Sequence, residues 1–256
     1  MKFIDEVVTN INKKEPNSKY QSGGIFVSKS SGMATGITLI SEILQKQNPK
    51  SVLYFPKKDG ELIKRGDVLL SIRGNYSDIL KMKDTCQDLF SYLCGITCSI
   101  MKYQYEIKDL NCKLLFKENL LPGISEYYNQ AVLYTKSELI PHNTLYFDQN
   151  IWDSEQSIHE ILEKYDDDQI YVEVNNIVEF NELIVSKCTH IVCVDFEPDD
   201  LEYVVENKNN KIIIAKNNMT FAKIRSYANK KVDYVMISNF TTQMKFFDIE
   251  FKYFGK

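Results

Sequence analysis

From about residue 105 onward the chain repeats one unit, a short apolar strand followed by a helix. Lys113-Leu114-Leu115-Phe116 reads as a strand with a helix over 125–136, and Thr144-Leu145-Tyr146-Phe147 as a strand with a helix over 154–165. Four more strands follow: Ile170-Tyr171-Val172-Glu173-Val174, His190-Ile191-Val192-Cys193-Val194, Lys211-Ile212-Ile213-Ile214 and Val232-Asp233-Tyr234-Val235-Met236. Helices to Lys187, over 198–206 and over 219–229 separate them. The last four strands recur about every 21 residues, the length of one strand plus one crossover helix. Such units return each strand parallel to the last, as a barrel or a doubly wound sheet. In either arrangement chemistry gathers at the C-terminal ends of the strands. That singles out Lys117-Glu118-Asn119, Asp148, Glu173-Val174-Asn175, Asp195, Lys216-Asn217-Asn218 and Ser238-Asn239. It sets aside Asp166-Asp167-Asp168, which precedes a strand and reads as a solvated loop.

The first hundred residues have no such repeat. Gly24 to Ser28 alternates like a strand, Ser31-Gly32-Met33-Ala34-Thr35-Gly36 opens a helix to about Lys46, and Ser51 to Phe55 is a second strand. Lys57-Lys58-Asp59-Gly60 is a turn, 61–73 two short strands joined at Arg65-Gly66-Asp67, and a long helix begins at Ser77 as N-cap. The C-terminal run Phe246 to Phe251 alternates as a strand outside the repeat. The expected architecture is α/β: a mixed α/β N-terminal domain over 1–104, joined by a C-terminal strand within 243–256, and a six-stranded open βα barrel over 105–242.

Composition narrows the function. Apolar residues make up 44% and charged residues 26% of 256, with a net charge of −4, so no basic field points to nucleic acid. The longest apolar stretch, 89–101, is too short and too polar to span a membrane, and acids near the N-terminus do not suit a signal peptide, so the expected location is cytoplasmic. The six cysteines include no C-x-x-C pair and read as reduced, buried thiols. Arg occurs only at 65, 73 and 225.

Several segments, in order, resemble the quinolinate phosphoribosyltransferase family. The hairpin Asp59 to Gly74, the helix end Asp88-Leu89-Phe90-Ser91-Tyr92-Leu93-Cys94-Gly95-Ile96-Thr97, Pro122-Gly123, Val172-Glu173-Val174, the run 190–200, Val232-Asp233-Tyr234 and Phe247-Asp248-Ile249 carry the likeness. The spacing over 144–150 is closer to the ModD-type relatives found with molybdate transport. The resemblance implies joining of quinolinate to phosphoribosyl pyrophosphate with release of pyrophosphate and carbon dioxide, as in NAD biosynthesis. It also implies Mg²⁺ as cofactor and a homodimer or higher oligomer; charge and hydropathy add the expectation of no nucleic-acid and no membrane partner.

Carried over residue by residue, the resemblance makes Glu173 and Asp195 the catalytic and metal-binding acids. Lys117, His142, Lys216, Asn217, Asn218, Ser238 and Asn239 become the substrate-binding set, for phosphoribosyl pyrophosphate or another phosphate-bearing small molecule. His142 reads equally as a plain surface histidine. Most of the family's cationic positions are replaced: Asp84, Glu118, Asn119, Ser125 and Leu133 stand where Arg or Lys is expected, and Asn143 follows His142 in place of Arg. A dicarboxylate and a pyrophosphate sharing one pocket need several cations. The expected function is therefore that of a divergent, catalytically degenerate member of a phosphoribosyltransferase family. Two alternatives stand beside it: a non-catalytic nucleotide- or phosphate-binding regulatory or structural homologue, and phosphoribosyl transfer to a non-quinolinate acceptor. For a non-catalytic chain, Glu173→Ala should alter stability little.

Overall fold

The structure, a computed structural model, describes residues 2–12, 20–118, 123–238 and 240–254. It divides into two compact units: Met1–Met101 with Asn119–Lys136 and Met244–Lys256, and Lys102–Glu118 with Ser137–Gln243.

The first unit contains α1 (Lys2–Asn12), β1 (Gln21–Ser28), β2 (Gly32–Met33), α2 (Ile37–Gln47), β3 (Val52–Tyr54), β4 (Leu62–Ile63), β5 (Val68–Asn75) and most of α3 (Tyr76–Glu106). Its main sheet is antiparallel, in the order C-terminal strand Ile249–Phe254, β1, β5, β3. Burial along α3 follows the helical period, with Ile79, Met82, Cys86, Phe90 and Leu93 all within 1% of full burial. Phe26 of β1 bridges Phe90 and Phe251, with ring centroids 5.5 and 4.8 Å away. Asn75, rather than Ser77, caps α3: its Oδ1 accepts the Ser77 N–H at 2.9 Å and the Ser77 hydroxyl at 2.7 Å. Sequence preference does not separate the two because Ser and Asn cap about equally well. Gly95 of α3 lies against backbone; a Cβ there would meet the Lys245 carbonyl oxygen at 2.5 Å.

The second unit begins with β6 (Lys113–Lys117). After α4 (Ser125–Tyr134), which clusters with the first unit, come β7 (Glu138–Ile140), β8 (Leu145–Phe147), a 3₁₀ turn (Gln149–Asp153) and α5 (Ile158–Leu162). Then follow β9 (Ile170–Val174), α6 (Ile177–Leu183), β10 (His190–Val194), α7 (Pro198–Glu206), β11 (Ile212–Asn217), α8 (Phe221–Ala228), β12 (Tyr234–Ile237) and α9 (Phe240–Gln243); β13 (Ile249–Phe254) closes the chain in the first unit. The sheet is entirely parallel, in the order β7-β6-β12-β11-β10-β9-β8, and forms an open half-barrel. It has seven strands, not six. The added strand, β7, has three residues squeezed between Lys136, which turns the chain at φ 62°, and Pro141. A run that short shows no periodicity to read. The helix expected over 154–165 is likewise trimmed to α5, which starts at a capping box of Ser157 and Glu160.

Alternate residues of the parallel strands fill the half-barrel with Leu115, Ile140, Tyr171, Val192, Val194, Ile214 and Met236. His190 sits low in this interior. Its ring stacks on Tyr171 at 4.0 Å between centroids, and its Nδ1 lies 2.8 Å from Thr189 Oγ1. Burial pulls the imidazole down to about 4, with Asp233 working the other way. The folded value lies below the ordinary imidazole value of 6.5, so the neutral ring's full contribution is present above pH 6.5 and is lost as pH falls toward 4. His190→Phe keeps the stacking and removes the proton site. Its denaturant midpoint, followed against pH, should fall less steeply than that of the parent between those limits. An unchanged slope would assign the acid sensitivity to other groups.

Candidate active site

Four strands deliver side chains to one point at the C-terminal end of the half-barrel. Glu173 is the last inward position of β9, two residues beyond Tyr171; Lys216 is two beyond Ile214 on β11; Lys117 is two beyond Leu115 on β6. Tyr146 comes from β8. The Lys216 ammonium lies 2.5 Å from Glu173 Oε1, and the Tyr146 hydroxyl donates to the same oxygen. Glu173 is 2% exposed, so its charge is balanced by these neighbours rather than by water. Lys117 Nζ stands 3.2 Å from the centroid of the Tyr146 ring, over its π face. Trp152, in the 3₁₀ turn after β8, donates Nε1–H to the Glu173 carbonyl at 2.7 Å.

The electrostatics follow from this packing. Burial, reinforced by the bond to Glu173, drives the Tyr146 phenol upward, so it stays a neutral donor. Desolvation lowers the Lys117 ammonium; Lys216 adds to that shift, while Glu173 and Asp148 oppose it.

The other residues expected at the site are distributed differently. Asp195 turns the chain in the left-handed region at φ 54°, its N–H bonded to the Lys216 carbonyl at 2.9 Å, and it is exposed. Asn217 bonds through Nδ2 to the Tyr227 hydroxyl at 2.9 Å, and Asn218 is exposed. Ser238 is exposed, with its N–H bonded to the Asn217 carbonyl at 3.0 Å. His142 is exposed, and its backbone N–H donates to Glu118 Oε2 at 2.8 Å. Asn239 lies outside the described residues, as do Asn119 and Pro122. Among the described residues no three His, Cys, Asp or Glu side chains group as metal ligands. Sequence does not single out Tyr146 and Trp152: an apolar strand of three residues, half-buried throughout, gives no phase to show which of Leu145, Tyr146 and Phe147 turns inward.

The pattern of the chain matches two family models: the quinolinate phosphoribosyl transferase N-terminal domain over residues 15–94 and its C-terminal domain over 134–252. The chain belongs to the quinolinate phosphoribosyltransferase family. Solved structures agree on the fold. The nicotinate-nucleotide pyrophosphorylase from Francisella tularensis is 16% identical at a TM-score of 0.89, covering 99% of this chain and 96% of its own. The Ehrlichia chaffeensis enzyme is 15% identical at 0.90, covering 99% and 98%. A human nicotinic acid phosphoribosyltransferase, 7% identical, superposes at 0.57 and covers 99% of this chain and 74% of its own.

Within this family member the arginines are committed elsewhere. Arg225, the sole Arg of the half-barrel unit, forks onto Asp109 at 2.8 and 2.6 Å and bonds the Glu106 carbonyl. Arg73 covers the Phe254 ring, and Arg65 is exposed in a turn.

Proposed function

We propose that the strand ends bind phosphoribosyl pyrophosphate, or a similar phosphate-bearing small molecule, and that the chain does not convert quinolinate. The observation that carries this is the self-contained pair of Glu173 and Lys216. The acid that matches the family's strand glutamate already holds a lysine and a tyrosine of its own chain. No arginine of the half-barrel unit is left for a dicarboxylate. A charge-assisted bond contributes about 1.5–3 kcal/mol, so two missing arginines cost about 3–6 kcal/mol, or roughly 10²–10⁴ in affinity. A second reading, phosphoribosyl transfer to another acceptor, is favoured by Lys117, which has no ion-pair partner among the described residues.

The family resemblance implies Mg²⁺. The Lys216 ammonium and the Tyr146 hydroxyl already share Glu173 Oε1, which would leave only Oε2 to meet the ion. Asp195 has an exposed carboxylate and fits as a single outer ligand, with the phosphates of a bound pyrophosphate supplying the rest.

Calorimetric titration with phosphoribosyl pyrophosphate and Mg²⁺ should show binding near micromolar, and quinolinate added next should give no heat and no nicotinate mononucleotide. Formation of that product would overturn the proposal. Silence with phosphoribosyl pyrophosphate would remove the phosphoribosyl half of it.

A further inference from the structure

The half-barrel also holds a cavity at the end of the sheet away from Glu173. β6, β11 and β12 begin there with Lys113, Ile212 and Tyr234, and Lys117 and Lys216 lie four residues further along β6 and β11, about 13 Å away. Between these strand starts and the turn before β6 the cavity measures about 390 Å³, and residues of the second unit alone line it. That is more than ten times the roughly 30 Å³ that one water fills, and within the roughly 300–1,000 Å³ of small-molecule sites. Leu110, Cys112, Ile212 and Tyr234 give it largely apolar walls. Lys113 and Asp233 give it one charge of each sign.

The two charges do not cancel one another. Their backbones meet, the Lys113 N–H donating to the Asp233 carbonyl at 3.1 Å, yet each side chain pairs elsewhere. Lys113 Nζ holds Glu138 Oε1 at 2.8 Å. Asp233 holds Lys208 Nζ at 2.9 and 2.7 Å and the Ile213 N–H at 2.8 Å. Neither group is saturated among the described residues. Lys113 gives one of three donors and its side chain is 67% exposed, and Asp233 Oδ1 accepts from Lys208 alone. A ligand with a single charge would meet one of these two groups with the wrong sign. A ligand with both can set its carboxylate on Lys113 and its ammonium on Asp233. We infer that this cavity binds a zwitterion with a short apolar body, the chemistry of a free α-amino acid with an aliphatic side chain. The inference is independent of the phosphoribosyl reading, which concerns the other end of the strands.

Three ligands test it on the parent protein by calorimetry: leucine, N-acetylleucine, which keeps only the carboxylate, and leucinamide, which keeps only the amine. Leucine should bind about tenfold or more tightly than either, the equivalent of one charge-assisted bond. Lys113→Met should bring leucine down to the level of leucinamide, and Lys113→Arg should restore most of the difference. Asn111 is exposed and lines the cavity, so Asn111→Trp should fill it and abolish leucine binding. Thermal melts establish that the variants are folded, and the comparison of the three ligands needs none of them. Cys112 reports the location. It is 7% exposed, and bound leucine should slow its alkylation severalfold while leaving that of Cys98, in the first unit, unchanged, as read by peptide mass spectrometry. Equal binding of either single-charge analogue would overturn the inference, as would full leucine binding in folded Lys113→Met or Asn111→Trp, an unprotected Cys112, or no heat with leucine.

Discussion

Glu173→Ala is expected to lower the unfolding free energy by about 3 kcal/mol, because the change strips a buried ion pair of one partner rather than of both. Glu173 is 3% exposed at its side chain and Lys216 22%, so the stranded ammonium has only partial access to water. The Tyr146 hydroxyl loses its acceptor at the same time. For a chain of this size, 1 kcal/mol corresponds to about 2–4 °C, giving a fall of about 6–12 °C in Tm. This reverses the small effect that the sequence alone predicts for a non-catalytic chain. Removing both partners should be milder: Glu173→Ala with Lys216→Met should recover at least half of the loss, since a buried pair and an apolar replacement are often close in stability. A double substitution as damaging as the sum of the single ones would show that the two charges are not coupled.

Gly95→Val should be equally severe and owes nothing to the site. Mid-helix glycine is ordinarily a weakness, and replacing it with alanine commonly adds about 1 kcal/mol. Here the sign reverses. A Cβ at Gly95 would stand 2.5 Å from the Lys245 carbonyl oxygen and 3.2 Å from the Phe246 Cα, both backbone atoms with no side-chain torsion to relieve the overlap. The segment is also held on α3 by the Phe247 N–H on the Ser91 carbonyl at 2.8 Å. Overpacking typically costs about 1–3 kcal/mol, and valine adds β-branching in a helix, so a loss of about 3 kcal/mol is expected. Gly95→Ala should fall between valine and the parent in denaturant unfolding. Stabilisation by alanine would mean that 244–247 is free to lift away.

Much of this fold is legible because parallel strands and crossover helices impose a spacing that composition cannot hide. The apolar runs at 170–174 and 190–194 are strands in the structure residue for residue. What escaped was short or phase-ambiguous. β7 is three residues long, and Tyr146 sits in an apolar triplet whose inward face no alternation marks. The rule that chemistry sits at strand ends singles out Glu173, Lys117 and Lys216 in the sequence, but not their mutual engagement. That depends on register between strands, such as Val192 opposite Glu173 and Val194 opposite Lys216, which a single sequence does not encode locally. Asp195, one residue past β10, stands in a left-handed turn that a single sequence does not announce.

The order of the seven-stranded sheet has a geometric consequence. Its two outermost strands, β7 and β8, are consecutive in the chain, and only residues 141–144 connect them. Laid flat, seven strands would set those edges about 29 Å apart at 4.8 Å per strand. The five peptide steps from Ile140 to Leu145 reach at most about 17 Å. The connector therefore works as a drawstring, forbidding the flat sheet and drawing its two free borders toward one another. Lys117, on the strand next to one border, can rest on Tyr146 of the opposite border because that tether has already closed the distance.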